Sequence, residues 1–405
     1  MRVSLNTTRV ITSYSGLTSL LVHYRNLGQT AIEYKELLDK RMQTWQIHSY
    51  GGTNDLRLSY VNLPTLTKPN DILIKVEACS VNPIDVAMSK GYGSKVLNVM
   101  RKATGILTGA SITSSEIEFP LTMGRDFTGI VLSKGHGVGN RLEQGDQVWG
   151  VIPVHQQGCH SECVVVDSDL INRRPENVSY LEGASILYAG LTAWSALWLT
   201  GGLCYKINLA AYRNKRVLLL GGSGGVGTQA IQLLKAWNMH VVTTCSSDAI
   251  TLLEKMGADI IIDYKCDGAD QLIKSEGPYD IILDCANQGP DLIKVKGYPH
   301  STYITLNSPM LKNIDKYGLF GGGIKNIVDI LKYNIYEPQK IGSVKWGFFV
   351  PSRTGLNMLQ TLVESGKVKP VVMEVYAFKD LPKAYERIAR GHLRGKLVID
   401  LKQGS

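Results

Sequence analysis

The sequence predicts an α/β protein in which a β-rich region is followed by a doubly wound parallel sheet. Three observations support this. The chain has 405 residues, enough for two domains or for one domain inserted into another. Its apolar pattern changes from short strands to alternating strands and helices near Tyr188, and a glycine-rich run at Gly221–Gly227 joins a strand to a helix. Its 44% hydrophobic and 20% charged residues are the proportions of a globular protein with large cores.

Residues 1–40 differ in composition from the rest of the chain. They are rich in arginine, serine and threonine, and no acidic residue occurs before Glu33. This composition is typical of a mitochondrial transit peptide, so we expect import into the mitochondrion, to the matrix; a disordered tail is the alternative. Cleavage is expected before Met42, because Thr44–Ile47 already has the pattern of a first strand.

Apolar periodicity then predicts the elements in order. Short strands are expected from Trp45 to about Val166, among them Ile72–Val81. From about Tyr188 to Tyr333, alternation of strands and helices is typical of a parallel sheet. The predicted strands of that sheet are Val217–Leu220, His240–Thr244, Ile260–Ile262, Ile281–Leu283 and Tyr303–Leu306. After Lys345 we expect a strand at Trp346–Val350, a helix at Gly355–Ser365 and a final strand at Lys396–Leu401.

Charge and cysteine content exclude several classes of protein. The net charge is +9, but the basic residues are scattered, which argues against nucleic-acid binding and favours a small anionic ligand. Seven cysteines without a regular framework indicate free thiols in a reducing compartment. No transmembrane segment is predicted, because the most apolar run, Ala189–Leu203, is interrupted by polar residues and glycines.

The glycine-rich run predicts a dinucleotide site. Gly222, Gly224 and Gly227 form a GxGxxG pattern directly after a strand and at the start of a helix, whose free amides attract phosphates. An NAD-preferring site would place an acidic residue at the end of the second strand. This chain has Thr243–Ser247 there, so we predict NADPH with its 2′-phosphate at Ser246, although Asp248 lies close by.

Five motifs in order also match one enzyme family. They are SVNPIDVAMSKGYG (Ser80–Gly93), FPLTMGRDFTGIV (Phe119–Val131), GGSGGVGTQAIQLLKA (Gly221–Ala236), GADIIIDYK (Gly257–Lys265) and GHLRGKLVID (Gly391–Asp400). From about Gln43 onward the chain resembles the zinc-independent quinone oxidoreductase branch of the medium-chain dehydrogenase/reductase superfamily. The resemblance implies a GroES-like catalytic domain split around an inserted Rossmann domain. The implied divisions are 1–40 for the transit peptide, 41–187 for the first part of the catalytic domain, 188–344 for the Rossmann domain and 345–405 for the return.

The resemblance also implies that no metal is bound. Zinc-dependent relatives have Gly-His-Glu where this chain has Gly124-Arg125-Asp126, and a ligand cysteine where it has Asn82. A zinc ion needs three or four well-placed ligands. A second possible metal cluster consists of His155, Cys159, His160 and Cys163; Cys159 and Cys163 would share one strand face, whereas His160 would point away, so packing is the preferred interpretation.

Without a metal, the cofactor carries the hydride chemistry and the protein supplies position and electrostatics. The resemblance places Tyr92, in the Gly91-Tyr92-Gly93 turn, in the cleft as a proton or hydrogen-bond donor; a role as a wall residue is the alternative. Asn82 would orient the nicotinamide or the substrate carbonyl, or would simply cap a strand end. Arg125 and Asp126 are expected to form an ion pair.

Cofactor contacts are implied one by one. Ser223, Gly225 and Val226 are expected at the pyrophosphate, and Ser246 and Tyr264 at the 2′-phosphate and ribose. The other implied contacts lie near the nicotinamide or in the C-terminal loop: Cys285, Leu306, Gly347, Phe349, His392, Leu393 and Arg394. Cys285 stands where the family has an asparagine. For Arg394, and for Lys396 nearby, a solvated basic loop is the alternative.

The sequence is compatible with three functions. The favoured one is an NADPH-dependent oxidoreductase of quinones or enones, linked through the resemblance to ubiquinone metabolism. A mitochondrial 2-enoyl thioester reductase shares the fold, the cofactor and a cleft tyrosine. A cofactor-binding interaction protein with little turnover is the third, since the resemblance also implies a reticulon-type partner. A homodimer is expected.

Overall fold

A computed structural model describes residues 41–107, 118–205, 214–335 and 342–402. The predicted transit peptide, residues 1–40, lies outside the described residues. The strands are β1 Met42–Ile47, β2 Leu56–Val61, β3 Asp71–Val81, β4 Leu121–Thr122, β5 Asp126–Lys134, β6 Gln147–Val151, β7 Cys163–Asp167, β8 Ile171–Arg173, β9 Arg216–Leu220, β10 His240–Cys245, β11 Ile260–Asp263, β12 Tyr279–Asp284, β13 His300–Thr305, β14 Ser343–Trp346, β15 Val372–Ala377 and β16 Lys396–Asp400. The α-helices are α1 Pro83–Ser89, α2 Ser94–Leu107, α3 Tyr180–Ala184, α4 Leu187–Trp194, α5 Gly225–Ala236, α6 Ile250–Met256, α7 Ala269–Ser275, α8 Pro290–Lys296, α9 Met310–Asn334, α10 Arg353–Glu364 and α11 Leu381–Ala389.

The β-rich region is built from both ends of the chain. Its larger sheet has the order β15-β16-β3-β5-β6-β8, with β7 also paired to β3, and a smaller sheet has the order β2-β1-β4. Strand β16 pairs antiparallel with β3, with Leu397 opposite Val81 and Ile399 opposite Cys79. The last strands of the chain therefore complete a sheet that the first strands begin, as the predicted split domain requires.

The six-stranded sheet between these parts has the order β11-β10-β9-β12-β13-β14. Every neighbouring pair in it is parallel. Renumbered from β9, this is the order 3-2-1-4-5-6 of a Rossmann fold. The predicted fold class is therefore confirmed.

Both faces of the parallel sheet are covered, which explains why its central strand β9 is apolar from Val217 to Leu220. Val217 and Leu219 of β9 pack in a cluster with residues of α4, α5 and α10. Leu218 and Leu220 point to the other face and pack with residues of α7 and α8. Among the helices of the described ranges, none combines the length and apolarity needed to cross a bilayer.

Two details differ from the sequence prediction. The predicted strand at Trp346–Val350 is wrong: β14 is Ser343–Trp346 and pairs with β13, after which the amide of Gly347 makes a last hydrogen bond to Thr305 O and the chain leaves the sheet. Strand β14 extends across the predicted division at residue 344; the domain limits stay predictions.

The β-rich region also contains two helices that periodicity did not indicate, α1 and α2. Helix α1 begins at Pro83, whose ring suits a first helical turn, and the carboxylate of Asp85 accepts a hydrogen bond from the Asn82 amide at 2.8 Å. A helix as short as α1 spans too few residues to show a helical apolar period, so it was not predicted.

Candidate functional site

The glycine-rich turn between β9 and α5 leaves one side open. A Cβ on Gly222 would lie 2.1 Å from Thr243 Oγ1, and one on Gly227 would lie 2.5 Å from Gly221 O. At Gly224, by contrast, the nearest such atom is 3.9 Å away. Helix α5 starts directly after it, so free amides and the positive end of the helix dipole face this opening. These residues fit a dinucleotide pyrophosphate.

The C-terminal loop 392–395 lies against this turn. The amide of Gly395 donates to Ser223 O at 3.0 Å, and Arg394 Nη1 donates to Ser223 Oγ at 3.3 Å. His392 is exposed and has a positive φ of 51°, whereas Leu393 packs against the apolar core of the β-rich domain. The loop therefore joins the two domains at the predicted cofactor position.

Arg394 also reaches the end of β10, where the nucleotide ribose is expected. Its Nη2 donates to Ser246 Oγ at 2.7 Å, and its Nε and Nη2 donate to Asp248 Oδ2 at 3.0 and 2.8 Å. Ser246 in turn donates to Asp248 Oδ1 at 2.6 Å. The hydrogen bond from Ser246 and the pairing with Arg394 lower the pKa of Asp248. A cation thus stands at the predicted 2′-phosphate site, and a carboxylate competes for it.

The remaining predicted cofactor residues lie at the same edge of the parallel sheet. The Tyr264 amide donates to Cys245 O at 3.1 Å, and the Cys285 amide donates to Leu220 O at 3.0 Å. Leu306 follows β13 and borders Gly347, where a Cβ would lie 3.0 Å from Leu306 Cδ2. The crevice outside the carboxyl ends of parallel strands is the usual ligand position of this fold. Their contacts with a nucleotide stay predictions.

A buried polar network in the β-rich domain contains the predicted site residue Asn82. Lys396 Nζ donates to Ser80 Oγ and to Asn82 Oδ1, each at 2.6 Å, and lies 3.6 Å from Asp126 Oδ2. Asn82 Nδ2 donates to Asp126 Oδ1 at 2.9 Å, and Ser80 also donates to that oxygen. The amide of Tyr188 donates to Asp126 Oδ2 at 3.0 Å. Every member therefore has partners, which fixes the orientation of the Asn82 amide.

The expected ion pair between Arg125 and Asp126 is wrong. Arg125 lies 3.5 Å from Asp85 Oδ1, and its Nη1 donates to the carbonyl oxygens of Pro153 and Gln156 at 3.0 and 2.9 Å. The reason is the extended backbone, in which successive side chains point to opposite sides. Arg125 therefore faces Asp85, while Asp126 faces Lys396.

These residues do not fit a zinc ion. Two buried cations stand where a zinc ion would need ligands. The Arg125 guanidinium pairs with Asp85, and the Lys396 ammonium pairs with Asp126. In the described ranges, no group of three histidine, cysteine or acidic side chains is placed to hold a metal.

The second possible metal cluster is not brought together either. His160 is hydrogen bonded to Tyr385 Oη and Ser80 O, and burial lowers its pKa. Cys159 packs in the core of the β-rich domain, whereas Cys163 packs in a separate cluster with Leu73. Strand β7 begins only at Cys163, so the expected shared strand face is wrong.

We therefore predict that the purified protein retains no stoichiometric zinc after washing with a chelator. Elemental analysis measures this, with a zinc-dependent alcohol dehydrogenase taken through the same wash as control. One zinc per chain would show that other residues provide a site.

Two neighbouring phenols, Tyr92 and Tyr188, lie beside this network. Tyr92 lies in a turn with positive φ at Gly91 and Gly93, and burial, with the nearby Asp315 carboxylate, raises its pKa. Tyr188 stacks on Phe349 with ring centroids 4.3 Å apart. Burial, with Asp85 nearby, raises the pKa of Tyr188 well above its usual value. Both phenols therefore carry their protons at neutral pH and can donate hydrogen bonds.

Sequence reasoning did not identify Tyr188, and it raised Lys396 only as a possible cofactor contact beside Arg394, with a solvated loop as the alternative. Lys396 is 5% exposed, so the solvated-loop alternative is wrong for it. Its ammonium instead lies 3.6 Å from Asp126 in the buried network. Tyr188 lies at the start of α4 among apolar residues, and no local pattern distinguishes it from core.

Two family models match the chain. Residues 68–197 match the alcohol dehydrogenase GroES-like domain, and residues 256–399 match a model described as zinc-binding dehydrogenase. The first segment lies mainly in the β-rich domain. The second covers much of the parallel sheet and the C-terminal strands that rejoin the β-rich domain.

Several characterised proteins are similar over nearly the whole length. The mitochondrial NAD(P)H oxidoreductase RTN4IP1 of Drosophila melanogaster is 44% identical over 370 residues, 90% of this chain and 87% of that protein. Its counterpart in Homo sapiens is 39% identical over 366 residues, 89% of each chain. The chloroplast envelope quinone oxidoreductase homolog of Arabidopsis thaliana is 31% identical, covering 89% of this chain and 99% of that protein. Among solved structures, the quinone oxidoreductase from Coxiella burnetii has a TM-score of 0.68 at 27% identity, covering 89% of this chain and 100% of that one.

Proposed function

The chain belongs to the medium-chain dehydrogenase/reductase superfamily, in the family of the mitochondrial NAD(P)H oxidoreductases, and we propose that it reduces quinones or related conjugated carbonyls with NADPH. The observation that carries the proposal is the position of two neighbouring phenols, Tyr92 and Tyr188, beside the buried network of Asp126, Asn82 and Lys396. When bound, the nicotinamide supplies the hydride. The residues must then deliver a proton and hold the acceptor.

NADPH is proposed over NADH because of the Arg394 guanidinium beside Ser246. A guanidinium forms two parallel hydrogen bonds to a phosphate and is the side chain of choice for that group. The Asp248 carboxylate pairs with the Arg394 guanidinium in the described structure, and a bound 2′-phosphate would displace this carboxylate. Ser246 would then donate to the phosphate instead of to Asp248.

The proton is proposed to come from Tyr92 Oη. Two-electron reduction of a quinone adds one hydride and one proton and forms a C–H or O–H bond at each acceptor atom. Tyr92 sits in a rigid turn, because its amide donates to Ala87 O at 3.1 Å and the Gly93 amide donates to Asp315 at 2.7 Å. Asn82 is buried and cannot turn its amide without losing Lys396 and Asp126, so its orientation is fixed within the network.

The wider assignments are part of the same proposal. A mitochondrial location with residues 1–40 as the import signal is supported by the names of the relatives and by the composition of the N-terminus, and a reticulon-type partner by the name of one relative. The matrix as the compartment, a link to ubiquinone metabolism and a homodimer are proposed from the family resemblance alone.

The test is turnover of purified protein with NADPH or NADH against a panel of quinones and 2-enoyl thioesters. We expect quinone turnover with NADPH, and Tyr92→Phe should lower kcat about a hundredfold or more, the usual contribution of a positioned proton donor. Tyr60→Phe, at an exposed phenol on β2, is the matched control. Turnover of thioesters alone would favour the enoyl reductase, and no turnover at all would favour an interaction protein. If kcat is unchanged in Tyr92→Phe, Tyr92 does not supply the proton and serves only as a wall residue.

A further inference from the structure

Helix α9 turns an apolar side toward solvent. Its second half, residues 319–334, exposes five side chains at the spacing of one helix face, which we call the apolar face: Phe320, Ile324, Ile327, Val328 and Leu331. Phe320 is 84% exposed and Ile327 is 60% exposed. A contiguous apolar surface of this kind marks a site of interaction.

The inner side of the same half is polar. The helix bends at Gly318, where φ is 76°, and its two halves run alongside each other. Asn313 Nδ2 donates to Asn326 Oδ1 at 2.8 Å and to Asp329 Oδ2 at 2.9 Å. In a straight helix Asn313 and Asp329 would be about 24 Å apart. Polar side chains therefore join the halves and leave the apolar face outside, the reverse of a surface helix that packs on a core.

The charges around the apolar face are mainly positive. Helix α9 has four lysines and two aspartates. Both aspartates are engaged within the protein: Asp315 accepts from the backbone amides of Gly93 and Lys95, and Asp329 accepts from Asn313 and pairs with Lys325. The carboxylates are thus turned inward.

Lys332 also lies 3.9 Å from the Asp291 carboxylate of α8, and the remaining lysines lie next to an aromatic ring or in solvent. Lys316 Nζ lies 5.0 Å from the centre of the Tyr317 ring, and Lys332 Nζ lies 5.1 Å from that of Tyr333. Lys312 is exposed. An apolar stripe bordered by lysines and tyrosines is the pattern of helices that lie in a membrane interface, where ammonium groups reach the headgroups.

We propose that the apolar face docks on the surface of a lipid bilayer with anionic headgroups. The apolar side chains enter the boundary between headgroups and acyl chains, and the lysines of α9 contact the anionic headgroups. A second copy of the chain would not need this excess of positive charge, because two such faces would repel each other.

Docking would also place the candidate active site at the membrane. Asp315 in the first half of α9 holds the amides of Gly93 and Lys95, directly after Tyr92. Resting on the proposed function, the substrate class is then a quinone with a long apolar tail, which resides in the bilayer and enters from that side.

Binding is tested by sedimenting full-length protein with vesicles of phosphatidylcholine alone or mixed with phosphatidylglycerol. The variant is Phe320→Ser/Ile327→Ser, and the control is Tyr60→Ser/Leu272→Ser, which removes one aromatic and one aliphatic side chain elsewhere on the surface. We expect binding to the mixed vesicles by wild type and control, and a partition coefficient at least about tenfold lower for the variant, since loss of one buried apolar side chain suffices for that factor. Residues 1–40 are present in every sample, so their basic charge cancels from the comparison.

A second variant addresses charge and guards against misfolding of the first. Lys312→Gln/Lys316→Gln should weaken binding to the mixed vesicles by about fivefold per lysine and change nothing with phosphatidylcholine alone. Equal binding of wild type and both variants would overturn the proposal. So would conversion of a dimer to a monomer by Phe320→Ser/Ile327→Ser with vesicle binding unchanged, which would make the apolar face a contact between copies.

The link to the substrate is measured separately. Reduction of a water-soluble short-chain quinone tests the proposed function without vesicles, and Phe320→Ser/Ile327→Ser should leave that rate unchanged. Reduction of a long-chain quinone embedded in mixed vesicles should fall at least about tenfold in the same variant, in line with its binding. Loss of docking with both rates unchanged would overturn membrane access. Absence of both rates with docking intact would reject the proposed function and leave the docking surface.

Discussion

Replacing Arg394 by glutamine should weaken NADPH binding by about 10- to 150-fold, because a hydrogen bond to a charged group contributes about 1.5–3 kcal/mol. NADH lacks the 2′-phosphate, so its binding should change much less. In the described structure Arg394 holds Ser246 at 2.7 Å and Asp248 at 2.8 Å, and a bound 2′-phosphate would take over this guanidinium. Titration of both nucleotides, followed by quenching of tryptophan fluorescence, measures the two affinities.

The control for charge is Arg390→Gln, which removes an exposed guanidinium four residues earlier in the chain and should leave both affinities unchanged. Asp248→Asn should act in the opposite direction and tighten NADPH binding, because it removes the carboxylate that competes for Arg394. Ser246→Asp should weaken NADPH binding at least about tenfold, through a lost hydrogen bond and added repulsion, and leave NADH binding the same or tighter. If wild type prefers NADH, or if Arg394→Gln weakens both nucleotides equally, the assignment of the 2′-phosphate site is wrong.

The dinucleotide turn could be predicted because its signal is local. Strand β9, the glycines and helix α5 follow one another within about twenty residues, and Gly222 and Gly227 leave no room for a side chain. That the strands form a parallel sheet followed from the same alternation, whereas their order did not. Arg394 is different: it lies 148 residues from Ser246, and only the return of the C-terminal loop to the turn brings the two together.

The buried network could not be predicted for the same reason. Lys396 is 314 residues from Asn82, and Asp126 comes from a third segment. From sequence, neighbouring opposite charges such as Arg125 and Asp126 are the obvious pair, yet an extended backbone separates their side chains and gives each a distant partner. Helix α9 shows a related limit, because apolar periodicity identifies a face but not the side on which it lies.

This network makes a strong prediction about stability. Asp126 is fully buried, and Lys396 is the one ammonium within ion-pair distance of it in the described part of the chain. Lys396→Met should lower the free energy of unfolding by about 3–5 kcal/mol, because it leaves a buried carboxylate without its cation. Denaturant unfolding followed by tryptophan fluorescence measures the change against wild type.

A second substitution should partly restore the stability of the Lys396→Met variant. Asp126→Asn in the Lys396→Met background replaces the uncompensated carboxylate by an amide of similar shape, which still accepts from Asn82 and Ser80 at the same position. The double variant should therefore be more stable than Lys396→Met alone, and the coupling between the two sites should exceed about 0.5 kcal/mol, the usual limit of additivity for independent sites. Lys367→Met, at an exposed lysine after α10, should leave stability within about 0.5 kcal/mol of wild type. Additive losses from the two substitutions would mean that Lys396 contributes packing and hydrogen bonds to Ser80 and Asn82, and that its charge does not stabilise Asp126.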